Sequence, residues 1–493
     1  MNVVWSSSAY WRLFGGDPEI HIIFARNFLL HHPLQFNPGE FTSGETSPLF
    51  MMLVAVMYLA VGVYVPIAMK VLGVASLLAV CVLIAREARS QGASVTLAAV
   101  LGVLPLLLPS TIFQAFLGME NMLFACLVVL VVRLWLAPLA GSCVRPVVAL
   151  VALPLMFFLR PEAVLLWVCL TALALALADR DWRNVFSLGI GALITLLALW
   201  ALENWTGVSL EAAGEVRAAF SRLDSAVMHF LGVKIYLSGK LAPALIYCAP
   251  FGAVVLLLWR SIGWRRDEVI IFTLLFCAPL LLHLFVVFPS THFSRYFLYG
   301  YAFFFFLFAR LMARAEGVGV SPAPAILTAV ILVRGTLVPF EHVARGPIPS
   351  STVDMTIEQF SPAFVRANSD ALYDALGHPP VPVVVALQEV QIRGRLDERF
   401  VVRSLDGIVD SRLLSFVRDG WVDHIGYLKA RDVGYLFDLP DYNRDRGRFA
   451  LAQLSSLGDR SMAGGLCIRR ISLSPEPPVG LATVYAIVRG TGC

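Results

Sequence analysis

Residues Gly15 to Phe50, GGDPEIHIIFARNFLLHHPLQFNPGEFTSGETSPLF, form a long polar, turn-rich passage in an otherwise apolar stretch of chain. They hold two carboxylates two apart, Asp17 and Glu19, then Arg26 and Asn27, then the turn formers Asn37, Pro38 and Gly39. A group-transfer reaction needs these parts: a base for an incoming hydroxyl, a cation for an anionic leaving group, and a loop that aligns them. Shorter polar motifs interrupt apolar sequence further on, at Gly118-Met119-Glu120-Asn121, Arg160-Pro161-Glu162 and His292-Phe293-Ser294-Arg295-Tyr296. Ionisable groups at membrane depth are costly and mark function.

The chemistry they suit is transfer of a sugar from a lipid-linked phosphate to a hydroxyl. Arg160 and Arg295, at the ends of apolar runs, match a phosphate through bidentate hydrogen bonds. Asp17 takes the acceptor's proton, and Glu19 or Glu120 places substrates or a divalent cation, magnesium or manganese. Arg26, Asn27, Glu162, His292 and Tyr296 complete the candidate substrate-binding set.

Each residue also has a structural reading. Asp17 before Pro18 is a good helix N-cap, and Glu19 favours the same helix's dipole. Arg26 can snorkel to lipid headgroups, Glu120 can cap the span that follows it, and Arg160 and Glu162 can pair across a helix break. Arg295 beside Tyr296 fits an interfacial belt, and His283 reads as a hydrogen-bonded core residue.

The elements that position these groups are set by the solvent. With 58% apolar residues, 15% charged and a mean hydropathy of +0.76, the chain reads as a polytopic membrane protein. A net charge of +4 gives no basic field for nucleic acid. Cys81, Cys126, Cys169, Cys248 and Cys277 lie in apolar runs as small hydrophobes, with no metal site read there. Cys467 and Cys493 fall in the polar tail and can pair if it faces an oxidising compartment. Residues 1–14 have neither the length of a span nor a charged signal-peptide start, so the chain begins outside the membrane or lacks a leading span.

Apolar runs fall at 47–63, 65–85, 93–110, 121–138, 146–159, 163–178, 185–203, 241–259, 269–288, 296–312 and 324–340. If the charges at 86–89, 145, 179–183, 260–266 and 310–314 face the cytoplasm, the runs from 65 onward alternate without conflict. The opposite face then receives 111–120, 160–162, 206–240, 289–295 and everything after 341. The 15–46 loop joins that outer face only if 47–63 lies in the outer leaflet rather than crossing; an ordinary span that breaks the charge rule is the alternative. Residues 206–240 read as an interfacial amphipathic helix or a soluble hairpin. Beyond Glu341, strands at Val381–Leu387, Phe400–Arg403 and Val433–Phe437 and helical stretches near 361–376, 410–419 and 425–431 predict a small α/β domain. No Gly-rich phosphate loop follows its strands, so it reads as a cap or acceptor-binding module. The expected division is a transmembrane module at 1–340, with its first outer loop at 15–46, and an extracytoplasmic domain at 341–493.

Several stretches resemble the C-type glycosyltransferases (GT-C), integral membrane enzymes that use polyprenyl-phosphate sugars, and within them the actinobacterial arabinofuranosyltransferase-like branch. They are Gly16-Asp17, Ile23-Phe24-Ala25-Arg26-Asn27, Asn37-Pro38-Gly39-Glu40 and Gly44-Glu45-Thr46-Ser47-Pro48-Leu49-Phe50, with further echoes at Gly118-Met119-Glu120, Arg160-Pro161-Glu162, Arg295-Tyr296 and Ser404 to Asp410. The resemblance implies an α-helical GT-C-like bundle with a C-terminal soluble α/β domain, an outward-facing site, inversion at the anomeric carbon, and Asp17 as general base. Gly16 stands where the branch has a first aspartate, and Ile23 where it has a first arginine. The expected enzyme is a glycosyltransferase in the bacterial cytoplasmic membrane, acting between a polyprenyl-phosphate sugar and a glycan, lipid or protein hydroxyl. A lipid or sugar transporter, or a non-catalytic member of the same fold, are the rival readings.

Overall fold

A computed structural model describes residues 17–42, 44–107, 109–136, 144–176, 182–207, 265–273, 298–327, 362–387, 390–405, 410–418, 421–438, 460–463, 465–471 and 483–489. The chain divides into two compact units, one built from Pro66–Leu202 and Leu231–Ile348 with the first ten residues, the other from Trp11–Val65, Glu203–Phe230 and Pro349–Cys493. The polar 15–46 segment therefore shares a unit with the C-terminal residues.

In the first unit the described helices are α3 (Val65–Ser90), α4 (Val95–Val103), α5 (Pro109–Phe116), α6 (Asn121–Leu136), α7 (Val144–Leu159), α8 (Ala163–Ala176), α9 (Trp182–Thr206), α10 (Arg266–Phe272) and α11 (Leu298–Gly317). The runs expected at 65–85, 121–138, 146–159, 163–178, 185–203 and 296–312 correspond to α3, α6, α7, α8, α9 and α11. Those at 241–259 and most of 269–288 and 324–340, and the amphipathic stretch at 206–240, lie outside the described residues. Pro48–Ser90, Trp182–Thr206 and Leu298–Gly317 are long and apolar enough to cross a membrane.

Where hydrocarbon surrounds helices, burial of apolar surface no longer drives association, and close backbone approach takes over. Gly73 and Gly191 provide it: a Cβ at 73 would lie 2.1 Å from the Ala115 carbonyl oxygen, and one at 191 equally close to that of Ala149. Helix α11 packs along α6, with Phe303 to Phe306, Phe308 and Ala309 all buried.

Charge marks one end of this unit. Arg310 pairs with Glu87 (2.9 Å) and Glu268 (3.4 Å), Arg314 with Glu268 (2.6 Å), and Arg133 with Glu87 (3.4 Å). Three of these groups, Glu87, Arg310 and Arg314, come from charged stretches expected on one face, and they meet in a buried ion network.

The second unit begins with α1 (Asp17–Leu29), a hairpin of β1 (Gln35–Asn37) and β2 (Glu40–Phe41), and α2 (Pro48–Val61). Gly39, at φ +89°, supplies the left-handed residue of the hairpin turn. Helix α2 buries Phe50, Met51, Val54 and Ala55, a stripe at helical spacing, and leaves Val56 and Leu59 exposed. Its 14 residues reach about 21 Å, short of a hydrocarbon core of about 30 Å.

The C-terminal part of this unit holds α12 (Pro362–Leu376), β3 (Val383–Leu387), β4 (Phe400–Ser404), a two-stranded ribbon β5 (Val417–Arg418) and β6 (Trp421–Val422), α13 (His424–Ala430), β7 (Tyr435–Asp438), β8 (Arg460–Ala463), β9 (Leu466–Arg470) and β10 (Thr483–Arg489). Six strands form one mixed sheet in the order β4-β3-β7-β10-β9-β8, with β3 parallel to β4 and β7 and the rest antiparallel. Its core gathers Ala386, Leu405, Leu413, Tyr427, Leu436 and Ile468. Cys467 on β9 is disulfide-bonded, with a partner outside the described residues.

Candidate functional site

Two of the expected clusters are described, one in each unit. In the first unit, Pro161 disfavours a helical conformation at the residue before it. Helix α7 ends there, Arg160 is extended at φ −156°, and α8 starts afresh at Ala163. The break turns the Arg160 side chain toward two acids. Its Nε and Nη2 donate to Glu162 (3.1 and 2.6 Å), and its Nη1 donates to Glu120 (3.1 Å).

Glu120 comes to this place through Gly118, whose φ of +76° closes the turn before α6. Its backbone oxygen accepts from the Phe124 N–H in the first turn of the helix, while its side chain turns to Arg160. The neighbouring Asn121 donates to Gln114 of α5, extending the polar patch. Phe124 meets Tyr299 edge to face at 5.7 Å, and the Arg160 guanidinium lies over the Phe124 ring. One guanidinium between two carboxylates leaves a formal charge of −1 for these three groups. Along α6 from here to Arg133 is about 18 Å, so this cluster and the Glu87 network occupy opposite ends of the unit.

In the second unit, α1 carries the first-loop residues. Asp17 opens the helix, and its side chain lies outside the described ones. Glu19, Ile23 and Arg26 fall on one face at i, i+4 and i+7, and the short helical turn Val390–Arg395 lies over that face. Arg26 donates to the Gly394 carbonyl (2.9 Å), and a Cβ at 394 would sit 3.6 Å from Ile23 and 3.8 Å from Glu19. Ile23 thus makes an apolar contact here. Burial pushes the Glu19 carboxyl up to about 7, with Arg395 and Arg26 pulling the other way.

Asn27 donates to the carbonyls of Gln35 and Phe36 (2.8 and 3.0 Å), tying the end of α1 to the hairpin. Asn37 then exchanges both hydrogen bonds with the Val402 backbone (2.8 and 2.9 Å), standing in for a neighbouring strand along the edge strand β4. His292, Arg295 and Tyr296 lie outside the described residues.

Sequence reasoning passed over other groups. His21 hydrogen-bonds both oxygens of Glu45 (2.9 and 3.1 Å), and the Ser47 N–H donates to the same carboxylate (2.8 Å), with Glu45 fully buried. The Gly44-Glu45-Thr46 motif was the available signal, but nothing local pairs Glu45 with a histidine 24 residues away. Lys70, 1% exposed on α3, is an ionisable group inside an apolar helix, and a single lysine in a hydrophobic run was its signal. Among the described residues no group of three or more His, Cys, Asp or Glu side chains is placed to hold a metal ion.

No family model matches the chain, and no curated protein matches it. Among solved structures, ArnT from Cupriavidus metallidurans in the apo state superposes with a TM-score of 0.53 at 13% identity, covering 98% of this chain and 96% of that one. ArnT from the same organism bound to undecaprenyl phosphate superposes with a TM-score of 0.51 at 14% identity, covering 98% and 97%. The likeness is one of fold and runs end to end: the chain has an ArnT-like GT-C fold, mostly helical, with sheet in its C-terminal region, as the sequence led one to expect.

Proposed function

We propose that the protein is a membrane glycosyltransferase that moves a sugar from a polyprenyl-phosphate donor to a hydroxyl acceptor at the outer face of the bacterial cytoplasmic membrane. The observation that carries this reading is the buried Glu120–Arg160–Glu162 cluster at one end of the bundle, in a fold that in ArnT is seen with undecaprenyl phosphate. The disulfide at Cys467 supports an extracytoplasmic C-terminal domain, because thiols stay reduced in the cytosol. The first-loop motifs support the arabinofuranosyltransferase-like branch.

In the proposed reaction the acceptor oxygen attacks the anomeric carbon, and its proton passes to Asp17. The bond from that carbon to the phosphate oxygen breaks, its electron pair leaves with the polyprenyl phosphate, and the configuration inverts. Arg160 is already neutralised by two carboxylates. Its part is to hold Glu120 and Glu162 as acceptors for sugar hydroxyls, and the charge of the phosphate falls to Arg295 and Lys70. No step is assigned to a metal ion.

The test is to incubate the purified full-length protein with labelled polyprenyl-phosphate sugars and a lipid or glycan acceptor. A covalent product is expected, with turnover in Asp17→Asn lower by roughly 10²-fold or more, the scale of a lost general base. Movement of label across a vesicle membrane without a covalent product would instead establish a transporter. Near-normal turnover in Asp17→Asn would remove Asp17 from the mechanism.

A further inference from the structure

Two sequence motifs are given no catalytic step in the proposed reaction, Asn37-Pro38-Gly39-Glu40 in the first loop and Ser404 to Asp410 in the C-terminal domain. The second unit brings them together. Arg403, at the end of β4, grips Glu40 of β2 with both terminal nitrogens, Nη2 to Oε1 at 2.8 Å and Nη1 to Oε2. Arg431 approaches Glu40 (3.5 Å) and Asp410 (3.3 Å), and Arg412 approaches Glu40 (3.9 Å). Asp410 also accepts from the Tyr427 hydroxyl (2.9 Å). A small cleft opens beside Glu40, Arg403, Asp410 and Arg412, with Phe36 and Phe41 also in its wall and Arg431 behind it.

The inventory is unbalanced in charge and in hydrogen bonds. Among the described residues three guanidiniums face two carboxylates, a formal surplus of +1. Arg403 is 6% exposed, yet its Nε has no hydrogen-bond partner among the described residues, while Nε and Nη2 of Arg431 are held at ion-pair distance from Asp410 and Glu40 without making a hydrogen bond. A buried donor without an acceptor is unfavourable. Arg412, half exposed, gives the cluster an opening to solvent. Planar guanidiniums with spare N–H groups recognise oxyanions.

We propose that this cleft is an oxyanion-binding site which takes a phosphate group, carried by a lipid headgroup or by a soluble ligand, with Arg412 and Arg431 as donors and Glu40 as the internal carboxylate that the anion competes with. Neighbouring guanidiniums already hold Glu40 below the usual carboxylate range, the Arg403 hydrogen bond foremost, so it stays charged and keeps the site selective for ligands that can rival a carboxylate. The inference goes beyond sugar transfer and stands whether or not the chain catalyses it.

The experiment is calorimetric titration of the full-length protein in detergent with inorganic phosphate, repeated in nanodiscs with and without phosphatidic acid. Arg412→Gln, on a half-exposed side chain, keeps the fold and should weaken binding roughly tenfold or more, the scale of one hydrogen bond to a charged group. Glu40→Gln removes the competitor and should tighten binding, with circular dichroism confirming that the variant is folded. Binding of inorganic phosphate with these opposite shifts supports the site and a soluble ligand; the same shifts seen only with phosphatidic acid support it and assign the lipid headgroup. Phosphate binding absent in both settings, or unmoved by both variants, overturns it and leaves the cluster a structural latch.

Discussion

Replacing Arg160 by methionine is the sharpest probe of the end-of-bundle cluster. The side chain makes three hydrogen bonds, two to Glu162 and one to Glu120, and is almost entirely out of solvent with Glu120. Methionine fills much of the same volume, so the change removes charge rather than packing. What remains is a pair of carboxylates in an apolar setting that have lost this cation, and breaking a buried pair in this way costs about 3–5 kcal/mol. At about 1.4 kcal/mol per tenfold, that is a rise in the unfolded population of roughly two to three and a half decades, a large part of a typical stability of about 5–15 kcal/mol. Equilibrium unfolding in detergent micelles measures it. The triple variant Arg160→Met, Glu120→Gln, Glu162→Gln should recover at least half of the loss, because it removes the three opposed charges together. A loss below about 1 kcal/mol in the single variant is the range of solvated surface pairs; that result would mean water reaches the cluster, and the argument for a dry charged site at the bundle's end would fail.

Other expectations follow from the same reasoning. Asn37→Ala removes two hydrogen bonds and orphans the Val402 backbone, which should cost about 1–3 kcal/mol and raise amide exchange at 35–41 and 402 while leaving the first unit unaffected. Gly191→Val drives side-chain atoms into the Ala149 carbonyl and the Trp167 ring, so α7 and α9 must separate; a drop in melting temperature checks it, and a melting curve like that of the wild type would contradict the close approach. Glu19, with its carboxyl pushed up to about 7 by burial, binds a proton in the folded state that the unfolded chain has already released near pH 5–6. Its contribution to stability is therefore present at low pH and lost as pH rises from about 4.5 through 7, and Glu19→Gln should flatten that slope in a pH series of unfolding midpoints. Glu40, held low mainly by its hydrogen bond to Arg403, slopes the other way: its contribution is present above the ordinary carboxylate range and falls away on acidification.

Hydrocarbon-rich composition fixed the class of this protein before any contact was known, because a helix in lipid must satisfy its backbone internally and so writes its length into the sequence. The starts and stops of α6, α7 and α8 were legible for that reason, with Pro161 marking the break between the last two. The strands β3 and β4 were legible as runs of β-branched residues, whereas β8 and β9 were not: the first is four residues long, and the second ends in Arg469-Arg470, which hides its period. Charge placement foretold that Glu87, Arg310 and Arg314 share one end of the bundle, since loops on one face of a membrane share a compartment. Only the tertiary structure decided the partners. Arg160 sits between two acids rather than open to phosphate, Arg26 is bound to a backbone carbonyl 368 residues away, and Glu40 is gripped by Arg403 from a strand 363 residues away. Local sequence carries the cost of ordering each segment and the solvent each face prefers, but which charge meets which across hundreds of residues depends on chain closure, and one chain by itself has no record of it.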